Sequence, residues 1–228
     1  MKIAVIPARG GSKRIPRKNI KLFHGKPIIA HSIEKALSSC LFDRIIVSTD
    51  DHEIADIAVR FGAEVPFVRP PSLADDTAPT VPVIAHTIEF CEDSKRPIDY
   101  VCCIYPCAPF IEVHDLVASL RMLESTGASY AYPVTEFSHP IQRAMIRSDK
   151  GEMKFIRPEC EMMRTQDLPK AYHDAGQFYW GRASAWRALK KMHSEGVGLI
   201  VPHWRIVDID TMDDWQRAES LFQFIANR

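Results

Sequence analysis

The chain has 228 residues, 46% hydrophobic and 25% charged, and its 29 basic and 29 acidic side chains balance to a formal net charge of zero. That length and apolar content suit one large α/β domain, 1–228, and exclude a disordered chain or a solenoid. The balanced charge lacks the basic face of a general nucleic-acid binder, and no stretch reaches the roughly 20 apolar residues of a bilayer span, so neither nucleic acid nor membrane is expected as a partner.

Short, nearly continuous apolar runs at 3–8, 44–49 and 100–105 predict strands of a parallel sheet covered on both faces. Helical patterns at 27–37, 51–61, 81–92, 113–125 and 211–225 separate and follow them, with Asp or Thr near several N-termini as caps. This is βαβ architecture. A further strand is expected at 128–134, after which 135–170 loses all sustained period and carries His139-Pro140, Arg157-Pro158 and Leu168-Pro169. An insertion of that length is read as a functional arm, an oligomer contact or an active-site lid. Regular structure resumes near 177–180 and continues through 198–202 and 204–208, the last as a strand entering the final helix. Met1-Lys2-Ile3-Ala4-Val5-Ile6 reads as a strand and not as a signal peptide, so a cytoplasmic protein is expected. The six cysteines, Cys40, Cys91, Cys102, Cys103, Cys107 and Cys160, form no CxxC pair and no zinc spacing, and are read as buried reduced thiols.

The loop that leaves the first strand is the most informative segment. Arg9, Lys13, Arg14, Arg17, Lys18, Lys21 and Lys26 fall between positions 9 and 26 with no Asp or Glu among them. Gly10 and Gly11 let backbone N–H groups approach phosphate oxygens, Lys13, Arg14, Arg17 and Lys18 supply charge, and Arg9 has the fork for bidentate contact. A solvated basic loop or a nucleic-acid patch is the alternative, but ligands of open α/β sheets bind beyond the carboxyl ends of the strands, where this loop lies. The reading is a nucleoside triphosphate cradle.

Near the other end, Val207-Asp208-Ile209-Asp210 sets two carboxylates at i and i+2, on one face of an extended backbone. Such a pair suits magnesium, which takes one or two carboxylates and completes its shell with water and phosphate oxygens. The competing reading is a helix cap, with Thr211-Met212-Asp213-Asp214 as a partial capping box. There is no GxGxxG, GxxxxGK[ST] or GxSxG, which leaves a hydride-transfer enzyme, a P-loop NTPase and a serine hydrolase without support.

Residues 6–19, Ser48-Thr49-Asp50-Asp51, Arg69-Pro70-Pro71-Ser72-Leu73-Ala74-Asp75-Asp76-Thr77 and Val207-Asp208-Ile209-Asp210-Thr211 together resemble the CMP-sialic acid synthetase family, cytidylyltransferases that activate acidic nine-carbon sugars. Pro140-Ile141-Gln142-Arg143-Ala144, Arg164-Thr165-Gln166-Asp167-Leu168 and the run from Ala171 to Gly181 resemble its pseudaminic acid branch. Sialic acid enzymes carry Leu-Gln-Pro-Thr-Ser-Pro-Leu-Arg after the central strand. This chain reads Ile104-Tyr105-Pro106-Cys107-Ala108-Pro109-Phe110, without the glutamine and arginine that would face the sugar.

The resemblance implies a three-layer Rossmann-like nucleotidyltransferase with a mostly parallel central sheet and an inserted dimerisation arm at about 135–170. It implies CTP held by Ala8, Arg9, Gly10, Gly11, Ser12, Lys13, Asn19, Arg69, Asp76 and Thr80. Arg9, Lys13 and Lys18 would stabilise developing phosphate charge, and Asp208 and Asp210 would hold Mg2+. Tyr105, Arg164, Gln166, His173 and Gln177 would meet an acidic nine-carbon sugar, with the arm of one subunit reaching its neighbour in a homodimer. N-acetylneuraminate, legionaminate or a keto-deoxy-octulosonate as acceptor, and a non-catalytic CTP-binding regulator, remain as alternatives.

Overall fold

The computed structural model describes residues 1–75 and 78–226. In chain order the main elements are β1 (Lys2–Pro7), α1 (Ile28–Ser39), β2 (Arg44–Ser48), α2 (His52–Arg60), α3 (Thr80–Cys91), β3 (Tyr100–Ile104) and α4 (Val113–Thr126). There follow β4 (Tyr130–Glu136), β5 (Tyr172–Asp174), β6 (Phe178–Arg182), α5 (Ala183–Arg187), β7 (Gly196–Ile200) and α6 (Met212–Ala226). The strands form one seven-stranded sheet in the order β7-β4-β6-β3-β1-β2, with β5 also joined to β4. β1 pairs in parallel with β2 and β3, and β7 with β4, while β6 runs antiparallel between β3 and β4. β5 is antiparallel to β4, with Val134 opposite Asp174. The sheet is therefore mostly parallel.

Alternation along the strands sends side chains to two separate cores. Ala4, Ile6, Val47, Cys102, Ile104 and Trp180 pack with Ile29 and Ile33 of α1, Ile54 and Ile57 of α2, and Leu116, Leu120 and Leu123 of α4. On the other face Ile3, Val5, Ile46, Val101, Cys103 and Tyr179 meet Ile84 and Ile88 of α3 and Trp186 of α5. Ile3, Val5 and Ile6 are fully buried, and each such side chain contributes about 1.5–3 kcal/mol. These two faces define three layers. A third cluster, of Ile15, Phe23, Ile28, Phe110, Ile209 and Trp215, docks α6 beside the loop that follows β1.

Local chemistry explains the ends of the helices. Asp51 caps α2 by accepting the N–H of Ile54 at 3.0 Å, and α4 stops at Gly127, whose φ of 71° suits a residue without Cβ. Three expectations need correction. No strand covers 204–208: Pro202 leads into a 3-10 turn, His203–Arg205, and the run to Asp210 is irregular. The arm is not bare of regular structure, since Met145–Arg147 and Met153–Phe155 pair as an antiparallel hairpin among three 3-10 turns. All six thiols are free, but Cys40 is exposed and Cys91 and Cys107 are only partly buried. No helix among the described residues is long and apolar enough to cross a membrane.

Candidate active site

A cavity of about 620 Å3 opens beyond the carboxyl ends of β1 and β3, lined by Arg9, Ser12, Lys13, Arg14, Lys18 and Asn19 on one side. Arg69, Thr80, Tyr105 and Pro106 close the other side. Its volume lies in the range of small-molecule sites.

The loop after β1 is held by the acids that follow β2. The Gly10 N–H donates to Asp50 Oδ1 at 3.0 Å, and a Cβ at Gly10 would stand 2.8 Å from Asp51 Oδ2, so only glycine fits without displacement. Arg17, in the left-handed region at φ 54°, donates to both Asp51 oxygens, at 2.5 and 3.0 Å, and to Glu53 at 2.5 Å. Hydrogen bonding from Arg17 is the main reason the Asp51 carboxyl is held down at about 2. Arg17 was expected to face phosphate; it fastens the loop instead. Further along, Asn19 is buried and donates to the Arg9 carbonyl at 2.9 Å, while the Cys107 thiol points at Asn19 Oδ1 at 3.3 Å. Arg9 donates to the Asp75 carbonyl at 2.7 Å.

Arg69 is 4% exposed and donates to the carbonyls of Ser48 at 2.6 Å and Leu73 at 3.2 Å, while its Nε finds no partner among the described residues. Burial lowers its proton affinity, partly offset by Asp50. Arg69 lines the cavity as a buried guanidinium held by backbone carbonyls, and a buried positive charge without a carboxylate partner suits a polar or anionic ligand.

The acid pair meets the loop directly. Arg14 donates to Asp210 Oδ2 at 2.7 Å, and Lys18 donates to the Ile209 carbonyl at 2.6 Å and reaches Asp210 Oδ1 at 3.5 Å. Ile209 is 2% exposed in the third cluster, while Asp208 beside it is exposed and Asp210 is half-buried. Desolvation, then the like charge of Asp210, raises the Asp208 carboxyl. The capping alternative is met by other atoms: Asp214 Oδ2 accepts the Thr211 N–H at 2.8 Å, and Thr211 Oγ1 accepts the Asp214 N–H at 3.2 Å. Neither upstream carboxylate takes part in the cap. Two crowded acids whose repulsion a divalent cation would relieve fit magnesium, with phosphate oxygens to complete the shell; the described residues contain no cluster of three or more His, Cys, Asp or Glu that would suit a self-sufficient site.

The remaining residues named from the sequence divide. Ala8 is buried and donates its N–H to the Ser48 carbonyl at 2.9 Å, Gly11 is exposed, and Asp76 lies outside the described residues. Gln177 is buried and donates to the Arg205 carbonyl at 3.1 Å, a structural bond. His173 packs on Phe137, ring centroids 4.8 Å apart. Arg164 pairs with Asp167 at 2.7 Å on the exposed arm beside Gln166. Arg164, Gln166, His173 and Gln177 are not among the residues lining this cavity. Sequence reasoning missed the ion pair of Arg205 with Asp115, 2.7 Å and almost wholly buried, which ties the segment before Asp208 to α4.

A mostly parallel three-layer sheet with a basic glycine loop and an acid pair at its carboxyl edge defines an α/β nucleotide-binding protein of the nucleotidyltransferase kind. Residues 3–195 match the family model described as Cytidylyltransferase, and the chain belongs to that family. It is 41% identical over 224 residues, 97% of this chain and 96% of the relative, to a pseudaminic acid cytidylyltransferase of Campylobacter jejuni subsp. jejuni serotype O:23/36 (strain 81-176). It is 33% identical, over 97% of this chain and 96% of the relative, to a CMP-N,N'-diacetyllegionaminic acid synthase of Legionella pneumophila subsp. pneumophila (strain Philadelphia 1). Among solved structures, CMP:2-keto-3-deoxy-manno-octonic acid synthetase complexed with CTP shares the fold, with a TM-score of 0.70 and 19% identity over 97% of this chain and 98% of that one.

Proposed function

We propose that the chain transfers CMP from CTP to the anomeric hydroxyl of a nonulosonic acid, pseudaminic acid before its isomers, with release of pyrophosphate. The observation that carries this reading is the cavity in which four loop cations, Arg9, Lys13, Arg14 and Lys18, face Tyr105 across a space of nucleotide size. The names of the similar relatives, and the absence of the sialic acid Gln and Arg around Tyr105, support the sugar.

The in-line attack of the sugar hydroxyl on the α-phosphorus needs positioning and charge stabilisation more than covalent help. The N–H groups of the loop after Ala8 and the side chains of Ser12 and Asn19 orient the nucleotide, with Arg69 and Thr80 on the base side. Arg9, Lys13 and Lys18 stabilise charge that grows on the α-phosphate and on departing pyrophosphate. Asp208 and Asp210 would hold Mg2+, which when bound supplies Lewis-acid polarisation of phosphate oxygen and lowers the hydroxyl pKa. Tyr105 contacts the sugar from its own subunit. Arg164, Gln166 and His173 are assigned to the sugar across a homodimer, supported by their absence from the lining of their own cavity and by the exposed apolar arm residues Met145, Ile146, Met153, Ile156 and Met162. Dependence on CTP supports a cytoplasmic location.

The test is pyrophosphate release from CTP and Mg2+ with pseudaminic, N-acetylneuraminic or legionaminic acid and with no sugar. Release with pseudaminic acid alone supports the assignment. Release with another acceptor keeps the transfer and overturns the sugar, and silence with every acceptor turns the reading to a CTP-binding regulator.

A further inference from the structure

Asn19 is where the two sides of the cavity are joined by a side-chain bond. It stands on the 3-10 turn Lys18–Ile20 that follows the basic loop, is 7% exposed, and lines the cavity together with Arg9, Lys13 and Lys18. Its Nδ2 donates to the Arg9 carbonyl at 2.9 Å, and its Oδ1 accepts from the Cys107 thiol at 3.3 Å. The second N–H of the amide has no partner among the described residues.

Cys107 belongs to the loop after β3, whose Tyr105 and Pro106 line the facing side. That loop is itself fixed. Ser32 of α1, fully buried, donates to the Tyr105 carbonyl at 2.8 Å and lies 3.3 Å from that of Pro106. The Tyr105 N–H donates to the Gln177 carbonyl at 2.9 Å.

The direction of each bond follows from what the atoms can do. A backbone carbonyl only accepts, so the Asn19 atom that faces Arg9 is the amide nitrogen, and Oδ1 is turned to Cys107. An amide oxygen only accepts, so the thiol gives its proton. Desolvation, opposed by Lys18, pushes that thiol up to about 12, so it keeps the proton at neutral pH. An amide is planar, and holding its oxygen and one N–H sets the direction of the other N–H.

Resting on the reading of the cavity as a nucleotide site, we propose that Cys107 is a positioning residue, which holds the Asn19 amide with its remaining N–H presented to an oxygen of the bound nucleotide. Asn19 touches the nucleotide and Cys107 acts through it. Without the thiol, Oδ1 is a buried acceptor with no partner, and the amide relieves that desolvation by turning away from the productive orientation.

The test uses the purified full chain with Cys107→Ala, Cys107→Ser, Asn19→Ala, and Cys107→Ala combined with Asn19→Ala. CTP binding by calorimetry, KM for the sugar and melting temperature are measured for each. Asn19→Ala should weaken CTP binding about tenfold, and Cys107→Ala, which loses only a weak donor, about two- to fivefold. Cys107→Ser keeps a donor and should bind CTP more tightly than Cys107→Ala. The double variant should be no weaker than Asn19→Ala alone, because Cys107 has nothing left to orient. The sugar KM should change less than CTP affinity in every Cys107 variant, whereas simple loss of packing would move both with the melting temperature.

Wild-type CTP affinity in Cys107→Ala, a double variant whose effects multiply, or Cys107→Ser no better than Cys107→Ala overturns the inference while the functional reading stands. A wild-type chain that binds CTP and turns over no sugar overturns the functional reading and leaves this comparison to decide as before. A wild-type chain that binds no CTP overturns both. If Asn19→Ala does not fold, Cys107→Ser against Cys107→Ala decides alone.

Discussion

Arg14 and Asp210 stand 2.7 Å apart, so a cation of the phosphate loop already rests on one of the two acids proposed to hold metal. Lys18 approaches the same carboxylate at 3.5 Å. Triphosphate would draw the cations away and a divalent ion would draw the carboxylate, so each ligand removes what opposes the other. Binding of CTP and Mg2+ should therefore be cooperative. In Arg14→Gln, metal alone should bind about two- to fivefold more tightly, the worth of an exposed pair, while CTP binds more weakly. Titration calorimetry with each ligand in the presence and absence of the other measures the coupling; an unchanged metal affinity in Arg14→Gln would remove Arg14 from this role.

Among the described residues Asp208 makes no direct ion pair; desolvation, then the charge of Asp210, raises its carboxyl, and Lys18 and Arg14 offset this in part. Asp208→Asn keeps the shape and removes the charge. Turnover should fall by about 10²–10³ with CTP binding retained, the scale on which one electrostatic contact to a transition state counts. EDTA should silence the wild-type enzyme, and added Mg2+ should restore it. Normal turnover by Asp208→Asn would remove this acid from the proposed metal pair.

The Asp51–Arg17 bond predicts a pH signature. With its folded-state value held at about 2 against an ordinary 3.8, Asp51 is depressed, so its contribution is present above pH 4 and is lost as pH falls through 4 toward 2. Partial exposure of Arg17 limits the contribution to about 1–2 kcal/mol. Asp51→Asn retains the cap on α2, since Asn caps as well as Asp, and isolates the charge. Urea unfolding of the two proteins should differ by that amount at pH 7 and converge as pH falls below about 2.

Much of this arrangement was legible in the residues alone, and what was not has identifiable causes. The apolar run of β1 ending in Gly10-Gly11 declares a strand and a phosphate loop, because both periodicity and glycine chemistry are local. β5 was missed because three residues carry too little pattern, and only pairing with β4 makes them a strand. The strand expected at 204–208 gave way to Pro202 and a turn at His203–Arg205, whose buried arginine is set by Asp115, 90 positions away. Gln177 has the right chemistry for a sugar, and one N–H of its buried amide is committed to the Arg205 carbonyl. Nothing in residue type alone tells a ligand contact from an internal bond of this kind.

The arm exposes Ile146 at 62% and Ile156 at 56%, with Met162 at 92%. A second copy of the chain is the proposed cover. Sedimentation equilibrium should give twice the chain mass, and Ile146→Asp with Ile156→Asp should give the single mass. If Arg164 and Gln166 serve the partner's cavity, the monomer should bind CTP normally but lose sugar turnover by about tenfold or more, the worth of one or two charge-assisted bonds. A monomer with full turnover would confine the sugar site to one chain.

Asp115 and Arg205 carry the last prediction. Arg205 Nη1 donates at 2.7 Å and Nη2 at 3.4 Å to a carboxylate that His114 also approaches, at 3.0 Å, and both partners of the ion pair are almost wholly buried. Asp115→Ala leaves a guanidinium without its counter-charge in the interior, which costs about 3–5 kcal/mol, or roughly 6–20 °C of melting temperature at this chain length. Replacing both partners together, Asp115→Leu with Arg205→Met, should recover most of that loss, because an apolar pair of similar volume needs no desolvation. Function should separate the two. Arg205 stands three residues before Asp208, and its backbone carbonyl holds Gln177. The single variant should therefore weaken metal-dependent turnover more than CTP affinity, since the phosphate loop hangs on Asp50 and Asp51 instead. A single variant that lowers stability while leaving the Mg2+ dependence unchanged would show that the position of Asp208 depends on Ile209 in its apolar cluster, and not on the buried ion pair.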